Sequence, residues 1–405
     1  MKAEDSALKD LFQIGSSKRV LKSQWKADGV PFYRGREVTR LAMDGFVDNE
    51  LFISEDHYAE LANQNGVPKA GDIVITAIGT IGNSYIVQDG DRFYFKDASV
   101  LWMKKASDIS SQFVNLWLKS PVFFDQLDRG NGATVDTLTI QKLQCVQIQV
   151  PPLPEQYRIV AILDEAFTGI AIARANAEQN LKNARELFES HLNAAFKERS
   201  VGWAEKPLSE LCDIKHGYAF EGEFFHLEGE YVLLTPGNFY EKGGYRDRGE
   251  KQKYYIGEIP RDYVLNEGDL LVAMTEQAAG LLGSPILVPE AAKFLHNQRL
   301  GLVTKKSAVA SWTNEFFFHV FNTQAVRRAI HESASGVKVR HTSPTKIGQV
   351  VVAFPTSIDE QMSIVAKMAS LKEETQRLEA IYQQKITALD ELKKALLHKA
   401  FSGDL

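Results

Sequence analysis

Apolar residues recur at spacings of three and four residues along two long stretches of the chain, and neither stretch contains a proline. The first stretch carries Ile159, Leu163, Ala166, Ile170, Ala173, Ala177, Leu181, Ala184 and Phe188 at these spacings. The second carries Ile364, Met368, Leu371, Thr375, Leu378, Tyr382, Ile386, Leu389 and Leu392. Such spacing gathers apolar side chains on one face of an α-helix. The pattern therefore predicts two long amphipathic helices, each about 60 Å in length at 1.5 Å per residue.

The two predicted helices are copies of one element. A shift of 205 residues aligns 155–196 with 360–401 without a gap, and 12 of those 42 positions are identical. Both copies begin with Glu-Gln, at Glu155 and Glu360, and end with Ala-Phe, at Ala195 and Ala400. At four positions the first copy has alanine where the second has a larger side chain, which favours packing of one helix on the other. Two separate core helices in separate domains are the alternative.

The segments that precede the two helices are also related. LKDLFQIGSSKR from Leu8 resembles LSELCDIKHGYAF from Leu208. GDIVITAIGTIGNSYIV from Gly71 parallels GDLLVAMTEQAAGLLGSPILV from Gly268. The chain is therefore predicted to run globule, helix, globule, helix, as a pseudo-twofold internal repeat. We place the boundaries of these four parts at 1–152, 153–199, 200–356 and 357–405.

Each globule is predicted to be mixed α/β (α+β). Short apolar runs such as DIVITAI, SVLWMK, YVLLT and GLVTK are typical of strands. The longer stretches SQFVNLWLKSPVFFDQL and SWTNEFFFHVFNTQAVRRAI each predict one helix. A repeated frame with diverged sequence indicates that the two globules share a scaffold and differ at their surfaces.

Composition limits the classes to which the chain can belong. Its 405 residues, 44% of them hydrophobic, are enough to fill two or more cores. The first residues lack the basic and apolar parts of a signal peptide, and no apolar run reaches the ~18 residues of a membrane span, so we expect a cytoplasmic protein. Cys145 and Cys212 have no companions at zinc-site spacing, so we expect two inert thiols and no metal site. The net charge of −5 gives no general attraction to nucleic acid, so phosphate contacts must come from local basic patches.

Four features together resemble the specificity (S) subunit of a type I restriction-modification enzyme. They are VPPLPEQYRIVAIL after GNGATVDTLTIQKL, the segment GSSKRVLKSQWKADGVPFYRGREV, the two Gly-Asp strand starts, and LLHKAFSGDL, and they span nearly the whole chain. The second helix start, FPTSIDEQ, departs from the pattern because it keeps Glu-Gln but lacks the paired prolines. The resemblance implies two target-recognition domains separated by two long helices that pack as an antiparallel coiled coil.

The resemblance also implies a non-catalytic subunit that reads a bipartite, asymmetric site on double-stranded DNA. Its partners would be two modification (methyltransferase) subunits and restriction subunits, and S-adenosylmethionine, ATP and Mg²⁺ would bind to those partners rather than to this chain. In agreement, the sequence has no Asn/Asp-Pro-Pro-Tyr/Phe tetrapeptide, no phosphate loop ending in Gly-Lys-Ser/Thr and no His-Glu-x-x-His helix. A stand-alone or degenerate methyltransferase and a coiled-coil scaffold without DNA reading are the alternatives.

Basic clusters indicate the candidate DNA contacts. In the first globule, SSKRVLKSQWKADGVPFYRGREVTR contains seven basic and two acidic residues. In the second, YEKGGYRDRGEKQKYY and HESASGVKVRH interleave acidic residues with basic ones, so a solvated loop is the alternative there. Arginine can donate two hydrogen bonds to one guanine, whereas lysine mostly contacts phosphate. We therefore predict base or phosphate contacts for Arg34, Arg36, Arg246 and Arg248, and mainly phosphate contacts for Lys18, Arg19, Lys338 and Arg340.

Overall fold

The computed structural model describes residues 4–127, 137–198, 201–276, 280–306, 311–337 and 339–403. The chain divides into two compact units. The first unit comprises Met1–Glu178 together with Gln383–Leu405, and the second comprises Gln179–Tyr382. Each unit therefore contains one globule and a part of each of two long helices, Leu153–Lys197 and Ile358–Ser402.

The globule of the first unit contains short helices and nine short strands among its described residues. Its helices are Leu8–Leu11, Gly35–Asp44, Glu55–Asn65, Ser111–Trp117, Pro121–Leu127 and Ile140–Cys145. A 3-10 turn covers Lys22–Gln24. Its strands are Glu4–Ala7, Phe12–Gly15, Val30–Tyr33, Phe52–Ile53, Ile73–Thr76, Ser84–Ile86, Tyr94–Phe95, Val100–Lys105 and Gln147–Val150.

The globule of the second unit follows the same plan with more 3-10 turns. Its helices are Leu208–Leu211, Asn314–Asn322, Gln324–Ser333 and Pro344–Gly348. Its 3-10 turns are Gly222–Phe224, Pro236–Asn238, Gly249–Lys251 and Arg261–Tyr263. Its strands are Trp203–Pro207, Cys212–His216, Phe225–His226, Tyr231–Leu233, Tyr254–Tyr255, Leu270–Ala273, Thr275–Glu276, Pro285–Leu287, Phe294–Leu295, Leu300–Lys305, Arg340–His341 and Val351–Pro355.

The strands form corresponding sheets in the two globules. The main antiparallel sheet of the first orders its strands Phe12–Gly15, Val100–Lys105, Ile73–Thr76, Ser84–Ile86, and that of the second orders them Cys212–His216, Leu300–Lys305, Leu270–Ala273, Pro285–Leu287. A smaller sheet in each contains one parallel pair, Val30–Tyr33 with Tyr94–Phe95 in the first and Tyr231–Leu233 with Phe294–Leu295 in the second. This shared order of elements confirms the predicted mixed α/β repeat.

The two Gly-Asp strand starts have the same local geometry. Gly71 and Gly268 have φ angles of 88° and 77°, in the left-handed region that glycine adopts without steric cost. The aspartates that follow, Asp72 and Asp269, each accept a hydrogen bond from the backbone N–H three residues earlier, at 3.0 and 2.8 Å. The motif therefore makes the tight turn into the central strand of each main sheet.

The prediction of one helix in each of the two longer apolar stretches is wrong, because each stretch folds as two helices. In the first globule the helix ending at Trp117 is separated from the next by Leu118–Ser120, and Pro121 begins the second helix since its ring cannot donate the backbone hydrogen bond of a helix interior. In the second globule Thr323 has extended φ and ψ angles, −64° and 144°, which ends one helix and starts another.

The two long helices run antiparallel within the first unit. The ammonium group of Lys393 lies 5.1 Å from the ring centre of Phe167, and further along the pair Arg174 bonds to Asp390. Residue numbers thus rise along one helix while they fall along the other. The long helices also run antiparallel within the second unit.

In the second unit Arg185 Nε donates to Glu379 Oε2 at 3.1 Å. Phe196, farther along the first helix, packs on the same buried cluster as Ile364 and Val365, which lie earlier on the second helix. The prediction of two long helices packed antiparallel is therefore confirmed in each unit. Ala177 and Ala184, two of the alanines that favoured this packing, are buried.

The Glu-Gln pair at the start of each long helix persists because the glutamine joins the helix to its globule. Gln156 is 2% exposed, and its Oε1 accepts a hydrogen bond from the backbone N–H of Ser110 at 2.9 Å. Its Nε2 donates to the carbonyl of Pro151 at 2.8 Å. Ser110 is the N-cap of the helix Ser111–Trp117. One side chain therefore holds together the starts of two helices.

Gln361 makes the equivalent connection in the second unit. It is fully buried, and its Oε1 accepts from the backbone N–H of Thr313, the N-cap of Asn314–Asn322, at 3.1 Å. Its Nε2 donates to the carbonyls of Ser311 and Pro355 at 3.0 and 2.9 Å. Removal of either amide would break the hydrogen bond that it makes to the backbone N–H of an N-cap residue, which costs free energy at a buried site.

The Ala-Phe pair at the other end of each copy also joins a long helix to a globule, through the ring of its phenylalanine. In the first unit the ring of Phe401, near the end of the second helix, lies 5.3 Å from that of Phe113. In the second unit the ring of Phe196, near the end of the first helix, lies 5.4 Å from that of Phe316. Each globule is thus held by the start of one long helix and the end of the other.

Candidate nucleic-acid interface

Arg34 and Arg36 lie where the strand Val30–Tyr33 ends and the helix Gly35–Asp44 begins. The helix starts here because Glu37, at its third position, turns back and accepts a hydrogen bond from the backbone N–H of Arg34 at 2.9 Å. This is the acidic half of a capping box, which satisfies a donor that the helix itself leaves unpaired. The two arginines therefore occupy fixed backbone positions.

The carboxylate of Glu37 also binds both guanidinium groups. Arg34 donates from Nε to Oε2 at 3.1 Å and from Nη2 to Oε1 at 2.8 Å, as a bidentate pair. Arg36 donates from Nε to Glu37 Oε1 at 2.9 Å and from Nη2 to Glu50 Oε2 at 2.9 Å. The Glu37 side chain is 1% exposed, whereas those of Arg34 and Arg36 are 30% and 51% exposed.

Glu37 stays ionised in spite of its burial. Burial alone would raise the pKa of its carboxyl group, but the hydrogen bonds from the side chain and backbone of Arg34, together with that from Arg36, outweigh burial and lower the pKa to about 2. The cluster of Arg34, Arg36, Glu37 and Glu50 carries two positive and two negative charges. It therefore presents oriented guanidinium donors with little net charge.

Lys96 and Ile78 lie beside this cluster. The strand Tyr94–Phe95 runs parallel to Val30–Tyr33, so the residues that follow the two strands, Lys96 and Arg34, emerge at the same edge of the small sheet. The backbone N–H of Lys96 donates to the carbonyl of Tyr33 at 2.8 Å. A Cβ on Gly35 would stand 3.9 Å from the carbonyl oxygen of Ile78, whose own side chain is 47% exposed.

Lys18 and Arg19 are exposed in the segment after the strand Phe12–Gly15. The backbone N–H of Lys18 donates to the Tyr94 hydroxyl at 2.8 Å, which ties this segment to the same small sheet. We call the following residues the first candidate face: Lys18, Arg19, Arg34, Arg36, Ile78 and Lys96. Sequence reasoning missed Lys96 and Ile78. The only signal for Lys96 was its place directly after the apolar run FYF.

The second globule has a capping box at the equivalent place, after the strand Tyr231–Leu233. Asn238 Oδ1 accepts from the backbone N–H and the hydroxyl of Thr235, both at 3.0 Å. Asn238 is 1% exposed, and its Nδ2 donates to Gln252 Oε1 at 2.8 Å. The backbone N–H of Arg246 donates to the Asn238 carbonyl at 2.7 Å, so this turn also fixes the start of the arginine segment.

Arg246 and Arg248 lie against this turn. The exposed guanidinium group of Arg246 is 5.9 Å from the ring centre of Tyr240, a cation–π distance. Arg248 packs over the backbone of Gly237, where a Cβ would stand 3.0 Å from Nη1, so the close approach favours glycine at this position. We call Thr235, Gly237, Arg246 and Arg248 the second candidate face. Both faces thus surround an equivalent capping box.

The last two predicted residues lie elsewhere. Lys338 lies outside the described residues. Arg340 is on the short strand Arg340–His341, and its guanidinium group turns onto the chain itself, donating to the carbonyl of His331 and, at 3.1 Å, to His331 Nδ1. Arg340 thus bonds to a histidine and a backbone carbonyl, whereas Arg34 and Arg36 bond to carboxylates.

The described residues also bear on metal binding, membrane insertion and the state of the two cysteines. No group of three or more His, Cys, Asp or Glu side chains there could hold a metal ion. Within the same residues, no helix combines the length and apolar character that a bilayer crossing requires. Cys212 is buried, which raises the pKa of its thiol to about 12, while Cys145 is exposed. The thiol of Cys212 therefore stays protonated at neutral pH.

Comparison with known proteins gives a consistent result. The family model described as "Type I restriction modification DNA specificity domain" matches residues 2–183 and again 200–388. A putative type I restriction enzyme specificity subunit, S.HindORF215P of Haemophilus influenzae, is 31% identical over 188 residues, which are 44% of this chain and 46% of that protein. The EcoBI specificity subunit of Escherichia coli is 25% identical over 224 residues, 55% of this chain and 43% of that protein. The matches thus span a little under half the length of these relatives.

Solved structures share the fold. A chain from the work "Structural basis underlying complex assembly and conformational transition of the type I R-M system" superposes with a TM-score of 0.75, at 18% identity, over 100% of this chain and 98% of its own. The HsdS subunit from Thermoanaerobacter tengcongensis superposes with a TM-score of 0.64, at 17% identity, over 100% and 97%. At such identities the likeness concerns the fold alone.

Proposed function

Because the chain belongs to the type I restriction modification DNA specificity domain family, we propose that it is the sequence-reading, non-catalytic subunit of a type I restriction-modification complex. One observation carries the proposal. The family match occurs twice, on two globules with the same sheets, and the capping box after the corresponding strand holds different side chains in the two. Two related globules with different surfaces suit a bipartite DNA site whose two halves have different sequences.

The candidate residues then divide by exposure and bonding. Arg34, Arg36, Arg246 and Arg248 are our proposed base-reading or phosphate-contacting residues, since each is fixed beside a capping box. Lys18 and Arg19 are exposed and suit phosphate contacts. Lys338 remains a proposed phosphate contact on sequence grounds. Arg340 contacts phosphate only through the N–H groups that it does not give to His331.

The chemistry belongs to partner subunits in this proposal. Two modification (methyltransferase) subunits would bind S-adenosylmethionine and methylate adenine, and restriction subunits would use ATP and Mg²⁺. The duplicated helix starts, each with a buried glutamine in an equivalent bonding pattern, support two equivalent docking places and hence two modification subunits per chain. The assembly would act on double-stranded DNA in the cytoplasm.

Sequencing of methylated adenines after reconstitution with the modification subunits tests the function. We expect one bipartite, asymmetric motif with an unread spacer, and native mass spectrometry should show two modification subunits for each copy of this chain. Methylation of DNA by the chain alone would instead favour a stand-alone methyltransferase. Methylation without sequence preference in the complex would favour a scaffold.

A further inference from the structure

We propose that Arg34 reads a guanine in the half-site contacted by the first unit, and that Glu37 is the positioning residue that aims its guanidinium group. This inference rests on the proposed function and deepens it, because it assigns one base to one side chain. It starts from the bidentate pair between Arg34 and Glu37, in which the carboxylate is 1% exposed and the guanidinium 30% exposed.

The geometry of the pair leaves one edge of the guanidinium group for a ligand. A guanidinium group has five N–H donors in one plane. Glu37 takes the side edge of Arg34, formed by Nε and Nη2, and the same carboxylate also binds the backbone N–H of Arg34. The end edge, formed by Nη1 and the second hydrogen of Nη2, points away from the carboxylate. Two parallel donors at that edge match the O6 and N7 acceptors of guanine.

The charges around Arg34 favour selectivity over general affinity. The two arginines and two glutamates of the cluster cancel in formal charge, so the cluster adds little to the attraction for phosphate that all DNA sequences share. The cluster instead contributes hydrogen-bond donors that point in a fixed direction. Loss of a bidentate contact to guanine should lower discrimination at that base pair by roughly 5- to 150-fold.

The second unit lacks this arrangement among its described residues. Thr235 and Asn238 occupy the capping positions that Arg34 and Glu37 hold in the first unit, and they form a neutral hydrogen bond. Arg246 lies within cation–π distance of Tyr240 and Arg248 lies over Gly237, and the described contacts show no buried carboxylate bonded to either guanidinium group. We therefore assign the guanine to the half-site of the first unit alone.

The test uses the complex with modification subunits and sequences the methylated sites of three variants. They are Arg34→Lys, Glu37→Gln and the matched control Arg40→Lys, an exposed arginine on the same helix. A photocrosslinking residue at position 78 identifies the half-site that the first unit contacts, since Ile78 is exposed beside Gly35. Lysine keeps the charge of Arg34 but cannot donate two parallel hydrogen bonds from a planar group. Glutamine keeps the shape of Glu37 but has one acceptor oxygen in place of two.

We expect a G·C pair in the crosslinked half-site of the wild type, and loss of preference at that one pair in both Arg34→Lys and Glu37→Gln. The other half-site and the control variant should stay unchanged, and the slope of log affinity against log salt should stay unchanged in Arg34→Lys, which keeps the charge of the cluster. A crosslinked half-site without a G·C pair, or an unchanged preference in Arg34→Lys, overturns the inference and leaves the proposed function intact. If Glu37→Gln fails to fold, Arg34→Lys still decides. Wild-type methylation without any sequence preference overturns the proposed function itself.

Discussion

The same capping position carries a charged network in the first unit and a neutral one in the second. Glu37 accepts from the Arg34 backbone at 2.9 Å, and Asn238 accepts from the Thr235 backbone at 3.0 Å. The backbone bond is therefore shared, while the side chains around it differ in charge and length. The fold therefore places a buried acceptor here in both units, whereas the side chains of the neighbouring surface differ between them.

The opposite pattern holds where the long helices meet the globules. Gln156 and Gln361 are identical and bond to equivalent N-caps, and Phe401 and Phe196 pack on equivalent phenylalanine rings. Identity between the copies is thus concentrated in contacts that join helix to globule. The differences between the two globules are concentrated at the candidate faces, where DNA would bind.

The largest effect is expected from removing the aromatic contact at the helix ends. Phe401 is buried against Phe113, so Phe401→Ala should lower the free energy of unfolding of the first unit by about 3–5 kcal/mol. Phe196 is less buried than Phe401, so Phe196→Ala should cost the second unit less. Hydrogen exchange at the amides of Ser111–Trp117 and Asn314–Asn322 measures the two units separately. Equal losses in both units would contradict the difference in burial.

A smaller effect is expected from the glutamines. Gln156→Leu removes two hydrogen bonds and leaves the Ser110 N–H without its acceptor, which should cost about 1–3 kcal/mol. Gln361→Leu removes three and should cost more. Urea unfolding of the full chain, followed by exchange at the two capped helices, measures both. A neutral result for Gln361→Leu would mean that the duplicated glutamine is not needed for stability.

Acid should distinguish the two capping boxes. The pKa of Glu37 is lowered from the usual 4.5 of a glutamate side chain to about 2. Its stabilising contribution is therefore fully present above pH ~4.5 and is lost as the pH falls toward 2, because the unfolded chain takes up the proton first. The Asn238 box has no such group. As the pH falls between these values, the unfolding free energy of wild type should decrease more steeply than that of Glu37→Gln. The difference between the two slopes should correspond to at most one proton taken up on unfolding. Equal slopes would refute the depressed pKa.

The smallest effect concerns the exposed basic residues of the first candidate face. Replacing Lys18 and Arg19 with alanine should reduce the slope of log affinity against log salt by about one unit for each phosphate that the variant no longer binds, with the methylated motif unchanged. The matched comparison is Arg34→Lys, which should change the motif and leave the slope unchanged. A changed motif in the Lys18 and Arg19 variant would show that these residues read bases instead.

The frame of the molecule could be predicted from sequence because its signals are long or repeated. Apolar periodicity predicted the two helices, alanines matched to larger side chains predicted that they pack on one another, and the resemblance to the family implied the antiparallel arrangement. The breaks at Pro121 and Thr323 were missed since apolar spacing continues across them. Local sequence showed a helix-forming pattern on both sides, and the break itself is short, three residues in the first globule and one in the second.

The candidate faces were harder to predict, for reasons of distance and burial. Lys96 follows Arg34 by some 60 residues, and only the parallel pairing of two short strands brings them to one edge. Glu37 counted in the sequence as a charge opposing the basic patch, yet it is the buried acceptor that orients that patch. The predicted phosphate contact Arg340 also bonds to His331 through its guanidinium group. Net charge along a segment does not contain this information.

The discontinuity of the first unit has a consequence for synthesis on the ribosome. Residues 179–382 form the second unit as one continuous segment, whereas the first unit needs 383–405 to join 1–178. At about 5–20 residues per second, the last part emerges about 10–45 s after residue 178. During that interval Phe113 and Leu163 lack Leu397, Ala400 and Phe401, which belong to the same buried cluster. The nascent chain therefore holds an open apolar surface while its second unit is completed, and this is the stage at which a chaperone would protect it from aggregation.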